Sequence, residues 1–326
     1  MTVLTQPKLV TVFGGSGFVG RHVVRALARR GYRIRVAVRR PDLAVHLQPL
    51  GGVGQIVAIQ ANLRNRDSVD RAVIGSDYVV NCVGILFETG RNTFDTVQDF
   101  GARAIAEAAR AAGAGFTQVS AIGADTESDS AYGRSKGRAE ASILNIMPDA
   151  VILRPSIIFG PEDDFFNKFA NMARFSPALP LIGGGGTKFQ PVYVGDVAEA
   201  VARSVDGKLT GGAIYELGGP RVMSFKECLQ EVLEITQRKR ALVSLPWALA
   251  SLIGKVAKFI PFIAPPLTDD QVELLKTDNV VSSEAAASNR TLAGMGIAAT
   301  TVEAILPTYL TRYRAHGQYS GTGNEA

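Results

Sequence analysis

Along the first half of the chain, short runs of Val, Ile and Leu alternate with longer stretches in which apolar positions recur every three or four residues. The runs predict strands at residues 9–13, 34–38, 56–60, 78–82, 117–120 and 151–153, and the longer period predicts helices at 21–30, 68–74, 100–112 and 132–146. Strands that alternate with helices are βαβ units, because parallel neighbours need a long crossover connection. The expected fold is therefore α/β, a doubly wound parallel sheet with a smaller C-terminal lobe. Beyond Arg154 the alternation weakens, and Pro, Gly and aromatic residues crowd 155–193 and 246–267. The expected division is a sheet-and-helix core at 1–154, a mixed region at 155–315 that builds the lobe, and a loose tail at 316–326. Within the mixed region, residues 192–193 and 214–217 are expected to return strands to the main sheet.

The first strand runs straight into Gly14-Gly15-Ser16-Gly17-Phe18-Val19-Gly20, and a helix is expected from about Arg21. A glycine pattern in this strand-to-helix context is the Rossmann dinucleotide signature. Gly14 permits the tight turn, Gly17 lets the backbone approach a pyrophosphate, and Gly20 lets helix and strand pack closely. The helix start then offers unpaired N–H groups and partial positive charge, so Ser16, Phe18 and Val19 join the candidate contacts. At the end of the second strand, where an NAD-selective site carries an acid, stand Arg39 and Arg40. A carboxylate repels a 2′-phosphate and a guanidinium pairs with it, so NADP(H) is favoured and NAD(H) is the lesser candidate. Asn62-Leu63 after the third strand is placed at the adenine edge, and Cys82-Val83-Gly84 after the fourth beside the ribose.

Tyr132 and Lys136 lie four residues apart and hence on one helix face. With the glycine loop, this YxxxK pattern resembles the extended short-chain dehydrogenase/reductases over about residues 8–220. The resemblance implies that Lys136 binds ribose hydroxyls and lowers the Tyr132 pKa, and that Tyr132 exchanges a proton with substrate. It further implies cofactor contacts at Ser120 and along Pro155, Ser156, Ile157 and Ile158. The family's third catalytic member, a Ser or Thr after the fifth strand, falls by register on Ile122. An aliphatic side chain donates no hydrogen bond to a developing oxyanion, a loss worth about 10²- to 10³-fold in rate. Ser120 would substitute only if the register slipped by two, and Thr126 only if the loop folded back. A site built to bind and lacking a catalytic donor suggests a structural cofactor.

Charge and composition narrow the partners. The net charge is +5, and residues 1–41 hold nine Lys or Arg and no acid. A phosphate-rich cofactor accounts for that bias without nucleic acid, for which no aromatic-and-basic platform is present. The two cysteines, Cys82 and Cys228, have no metal-like or disulfide-framework spacing, and His22, His46 and His316 are scattered, so no metal is expected. The first apolar run reads as a strand rather than a signal or transit segment, and no stretch is long enough to span a bilayer.

Four segments are more particular than the fold: VSAIGAD, YGRSKGRAE, ILRPSIIFGPEDDFFNKFA and FQPVYVGDVAEA, with residues 267–275 adding to them. They resemble the atypical branch that contains the NADPH-binding accessory subunit of respiratory complex I, NADH:ubiquinone oxidoreductase, and its bacterial relatives. That resemblance implies a tightly held NADPH outside the electron-transfer path, partners near the quinone-entry region, and a stabilising or assembly role. Against it, the retained Tyr132 and Lys136 keep open a working reductase, epimerase or dehydratase on a small carbonyl or nucleotide sugar. An NADP(H)-sensing regulator is the third possibility. Residues 241–267 carry only Lys255 and Lys258 as charges and include Trp247, so they suit either a bilayer surface or packing on the chain's own lobe. The expected location is cytoplasmic, or peripheral on the cytoplasmic face of a bacterial inner membrane.

Overall fold

The structure is a computed structural model that describes residues 7–257 and 268–315. Its strands, in chain order, are β1 (Leu9–Phe13), β2 (Arg33–Val38), β3 (Ile56–Gln60), β4 (Tyr78–Asn81), β5 (Gly115–Val119), β6 (Val151–Pro155), β7 (Ile158–Phe159), β8 (Ala178–Ile182), β9 (Lys188–Phe189), β10 (Val192–Tyr193), β11 (Ile214–Leu217), β12 (Met223–Ser224) and β13 (Ala241–Leu245). Seven of them form one sheet in the order β11-β6-β5-β4-β1-β2-β3. Every pairing in it is parallel. From β1 the chain winds outward through β2 to β3, then crosses to β4 on the other side of β1. Ligands of doubly wound sheets lie at such a reversal, beyond the carboxyl ends of the strands.

The expected doubly wound sheet is present, and the return of 214–217 as β11 against β6 is borne out. Residues 192–193 do not join that sheet. As β10 they pair with β7 in a separate two-stranded ladder, because the chain leaves the main sheet after Pro155 and the two short segments satisfy each other instead.

The helices that flank the first half of the chain are α1 (Phe18–Arg29), α2 (Arg66–Val73), α3 (Phe100–Ala111) and α4 (Ala131–Ile146). Helix α1 buries Val23, Val24, Leu27 and Ala28 on one face, while Arg25 and Arg29 face solvent. Full burial of each larger side chain contributes about 1.5–3 kcal/mol. The helix starts at Phe18, three residues earlier than expected, because Gly17 already has the extended backbone of an N-cap. Asn65 caps α2 by accepting from the Ser68 N–H, and Ser130 caps α4 by accepting from Gly133.

Two compact units divide the chain discontinuously. One comprises Met1–Pro155, Gly195–Leu217 and Ser283–Ile297; the other comprises Ser156–Val194, Gly218–Ser282 and Ala298–Ala326. The first is an aliphatic sheet-and-helix core, with Val10, Val12, Val36, Val79 and Val80 fully buried. The second is aromatic: Phe159, Phe165, Phe166, Phe169, Phe189 and Phe225 meet mostly edge to face, with centroids 5.0–6.3 Å apart. It also contains α5 (Phe166–Phe175), the end of α6 (Val194–Val205) at Val194, α7 (Phe225–Thr236) and α8 (Trp247–Ala257). The expected tail at 316–326 and the stretch 258–267 lie outside the described residues.

Candidate functional site

The glycine loop sits at the reversal of the sheet. Gly14 takes a φ of +73°, open to glycine at little cost. A Cβ there would stand 3.1 Å from the Val83 backbone nitrogen beyond β4, so the segments leaving β1 and β4 touch. At Gly20 a Cβ would lie 2.2 Å from the Gly14 carbonyl oxygen and 2.6 Å from the Gly15 Cα, both backbone atoms that cannot yield. The Gly17 amide donates to Gly14 at 3.0 Å and Arg21 to Gly17 at 3.0 Å. Phe18, Val19 and Gly20 form the first helical turn, whose N–H groups have no intrahelical acceptor. No acid occupies that turn. The cradle fits a dinucleotide pyrophosphate. Arg21, which sequence reasoning did not single out, folds its guanidinium back onto the carbonyls of Ser16 at 3.2 Å and Gly17 at 3.3 Å, adding a full positive charge to the rim.

Beyond β2, Arg39 and Arg40 are both exposed, yet they differ. Arg40 forks onto Asp42, with Nε–Oδ1 at 3.0 Å and the terminal nitrogen to Oδ2 at 2.7 Å. The Asn62 side chain accepts from the Arg64 N–H at 3.1 Å, and its amide donates to Ser68 Oγ at 2.9 Å, which fixes the turn after β3. Leu63 packs on α3, where a Cβ on Gly101 would meet it at 2.8 Å. After β4, the Cys82 amide is held by Phe13 at 3.0 Å and Val83 by the Asn81 side chain at 3.0 Å. Burial pushes the Cys82 thiol up to about 12 against the opposing charge of Lys136, so it is a poor nucleophile.

Tyr132 and Lys136 come together on the first turns of α4. The Lys136 ammonium lies 5.9 Å from the Tyr132 ring centroid and donates to the Val119 carbonyl at 3.4 Å. Only 4% of the lysine is exposed, and burial pulls its pKa down to about 8, with the Glu140 carboxylate one turn along opposing the shift. Gly84 is beside it: a Cβ there would stand 3.6 Å from Nζ. Phe94 meets the Tyr132 ring edge-on at 5.8 Å. The segment that carries Phe94 continues into a π turn at Asp95–Asp99, and Gln98 ties that turn to Ile85 at 2.6 Å and to Ser135 at 2.8 Å. Sequence periodicity does not show a π turn, and Gln98 was missed for that reason.

At the serine position, Ile122 is buried and its amide donates to the Pro155 carbonyl at 2.9 Å. The Ser120 hydroxyl donates to Glu140. Glu140 also accepts from Arg154 Nε at 3.0 Å and from its terminal nitrogen at 2.5 Å. Thr126 does not fold over the site, because its backbone is pressed against α4 at Gly137, where a Cβ would be 2.4 Å from the Thr126 nitrogen. The Ser120–Glu140–Arg154 network was not anticipated either. Its signal was an acid one helical turn beyond Lys136.

Pro155 ends β6 in the first unit. In the second, the buried Ser156 hydroxyl donates to the Asn279 side-chain oxygen at 2.7 Å, and Ile157 donates to the same oxygen at 3.1 Å. Ile158 enters β7. No group of His, Cys, Asp or Glu that would hold a metal occurs among the described residues.

A model of the NAD dependent epimerase/dehydratase family matches residues 10–218. This chain belongs to that family, the extended short-chain dehydrogenase/reductase kind. It is 35% identical over 288 residues to the mitochondrial NADH dehydrogenase [ubiquinone] 1 alpha subcomplex subunit 9 of Arabidopsis thaliana, covering 85% of this chain and 72% of the relative. The mitochondrial 40 kDa subunit of NADH-ubiquinone oxidoreductase from Neurospora crassa is 30% identical, over 95% and 80% of the two chains. The ceramide reductase of Caulobacter vibrioides is 32% identical, over 73% and 74%. Among solved structures, gox2253 superposes with a TM-score of 0.70 at 22% identity, covering 95% of this chain and 99% of its own. The dTDP-glucose 4,6-dehydratase DesIV from Streptomyces venezuelae, with NAD and TYD bound, does so at 0.68 and 17%, covering 94% and 96%. These two likenesses concern the fold.

Proposed function

We propose that this chain is an NADP(H)-binding accessory or assembly subunit of NADH:ubiquinone oxidoreductase, complex I, and that its cofactor is structural. The observation that carries the reading is the kinship, 30–35% identity over most of the chain, with named subunits of that complex. The site supports it. Its backbone cradle fits a pyrophosphate, Arg39 supplies a cation where a 2′-phosphate would lie, and the hydroxyl needed at the reacting oxygen is replaced by buried Ile122 while Ser120 is engaged by Glu140. When bound, the dinucleotide would bring redox capacity and two phosphate-linked nucleotides that tie the loop to the strand ends. Gly14, Ser16, Gly17, Phe18, Val19 and Gly20 would hold its phosphates. Asn62, Leu63, Cys82, Val83 and Gly84 would line its adenosine and ribose, and Lys136 and Tyr132 its nicotinamide ribose. Ser120, Pro155, Ser156, Ile157 and Ile158 are the further contacts that the family resemblance implies.

The partners in this reading are complex I subunits near the quinone-entry region, reached from the cytoplasmic face of a bacterial inner membrane. Helix α8 supports a membrane-proximal contact, since Leu249, Leu252 and Ile253 form one exposed stripe, 47%, 57% and 41% accessible. No helix among the described residues is long and apolar enough to cross a membrane. The test is isolation of complex I from native membranes followed by denaturation. The expected result is comigration of this chain with release of NADP(H), and its absence from the complex would sink the proposal.

A second reading, turnover of a carbonyl substrate, is favoured by the paired Tyr132 and Lys136 and by kinship with a ceramide reductase. Oxidation of bound NADPH by an added carbonyl compound would support it.

A further inference from the structure

The two arginines beyond β2 are followed by a counter-charge, and the three residues are not equivalent. Arg40 grips Asp42 through two parallel N–H donors at 3.0 and 2.7 Å. Arg39 makes no hydrogen bond or ion pair among the described residues. Pro41 lies between Arg40 and Asp42 at the start of a tight helical segment, Pro41–Leu50. Proline locks its own φ and keeps the preceding residue out of the helical region, as Arg40 is at φ −129° and ψ 87°. The fork therefore closes over a short, stiff stretch of backbone. It loses less conformational freedom than an ordinary exposed pair, for which that loss cancels most of the attraction.

We propose that Asp42 is a specificity-determining residue of the nucleotide site: by holding the Arg40 guanidinium it leaves Arg39 to meet the 2′-phosphate, and so sets how strongly a 2′-phosphorylated dinucleotide is preferred. This rests on the reading that the glycine loop binds a dinucleotide with its adenosine ribose at the end of β2. A 2′-phosphate brings roughly 1.5 to 2 negative charges. It meets Arg39 unopposed, while Arg40 is offset by a carboxylate at hydrogen-bond distance. Removing the Asp42 charge frees the second guanidinium and removes a repulsion in one step. A dinucleotide without the phosphate has no charge at that position and is indifferent to the change. The Arg40 fork, with the backbone N–H groups of Asp42 and Leu43 adding to it, holds the Asp42 carboxyl below the usual carboxylate range.

The experiment measures dissociation constants of NADPH and NADH on the full, nucleotide-stripped chain, for the wild type and for Asp42→Asn, Arg39→Ala, Arg40→Ala and Asp42→Asn/Arg40→Ala. All three positions are exposed, so melting temperatures should stay together. The expected result is that Asp42→Asn tightens NADPH by about three- to tenfold with NADH within about twofold, and that the gain shrinks as salt rises. Arg39→Ala should weaken NADPH by about tenfold or more, Arg40→Ala by about twofold, and Arg40→Ala should cancel the Asp42→Asn gain in the double variant. Loss of NADH affinity in Asp42→Asn would overturn the proposal by making Asp42 a ribose acceptor, and equal losses in Arg39→Ala and Arg40→Ala would overturn the division of labour. If Arg39→Ala shifts the NADPH to NADH ratio while Asp42→Asn does not, only the role of Asp42 fails. If neither arginine variant shifts that ratio, the 2′-phosphate reading itself has failed.

Discussion

The Gly14–Gly20 loop and the Ser120–Ile122 segment both leave parallel strands at the same end of the sheet, and they meet opposite demands. The loop works through backbone. Its amides, its left-handed Gly14 and the contact at Gly20 depend on the absence of side chains. The segment after β5 would work through a side-chain donor, and there the chain places an aliphatic group, while the neighbouring hydroxyl is bound to Glu140. In the proposed reading, holding a dinucleotide needs the first region. Polarising a carbonyl needs the second. The difference separates the capacity to hold a cofactor from the capacity to use it, two properties that a shared fold tends to merge.

The largest effect that would break this comparison belongs to the loop. Gly20→Ala drives a methyl into the Gly14 carbonyl, so nucleotide affinity should fall by about 100-fold or more and stability by about 3 kcal/mol. Calorimetric titration and thermal melting read both, and retention of wild-type affinity would remove the loop from the site. Next comes the network under the second region. Glu140→Ala leaves the Arg154 guanidinium, 21% exposed, without its main partner and should cost about 3–5 kcal/mol in urea unfolding. Glu140→Gln should cost less, because hydrogen bonds remain.

Lys136 sharpens the comparison through pH. Its folded value of about 8 lies below the ordinary 10.5, so between them the unfolded chain binds the extra proton and stability rises with pH. Below about 8 the full cost of burying the ammonium is present, and above 10.5 it is gone. Lys136→Met should accordingly stabilise the nucleotide-free protein by about 1–3 kcal/mol near neutrality, with the advantage fading by about pH 10. On the proposed reading the same variant should weaken nucleotide binding by about tenfold, because no ammonium would be left to meet the ribose hydroxyls. Opposite signs in the two assays distinguish a binding residue from a packing one. The smallest effect is expected at Tyr132→Phe: nucleotide content and complex assembly within about twofold of wild type, since a structural cofactor does not need the phenolic proton. Abolished turnover of any carbonyl compound in that variant would instead restore the catalytic reading.

Much of this was legible in residue order because its causes are local. Strand-forming runs, the helical period of α1 and α3, and glycines between a strand and a helix declare themselves within a dozen residues, and the sheet and its reversal follow from right-handed parallel crossovers. Element ends were less so: α1 begins at Phe18 because Gly17 serves as an extended cap, which no side chain announces. The pairing of Val192–Tyr193 with Ile158–Phe159 was hidden as well, since two-residue strands carry no period.

The glycine loop was therefore determined by the sequence itself, as were Arg39, Arg40, Tyr132 and Lys136 as charges and hydroxyls at family positions. Only the tertiary structure decided what those groups are free to do. It committed Arg40 to Asp42, Ser120 to Glu140 and Ser156 to Asn279, and it drew Lys136 to a pKa of about 8. The physical reason is that side-chain identity is a local property. The availability of a hydrogen bond or a proton depends on partners that folding brings in from elsewhere in the chain, and on the solvent it removes.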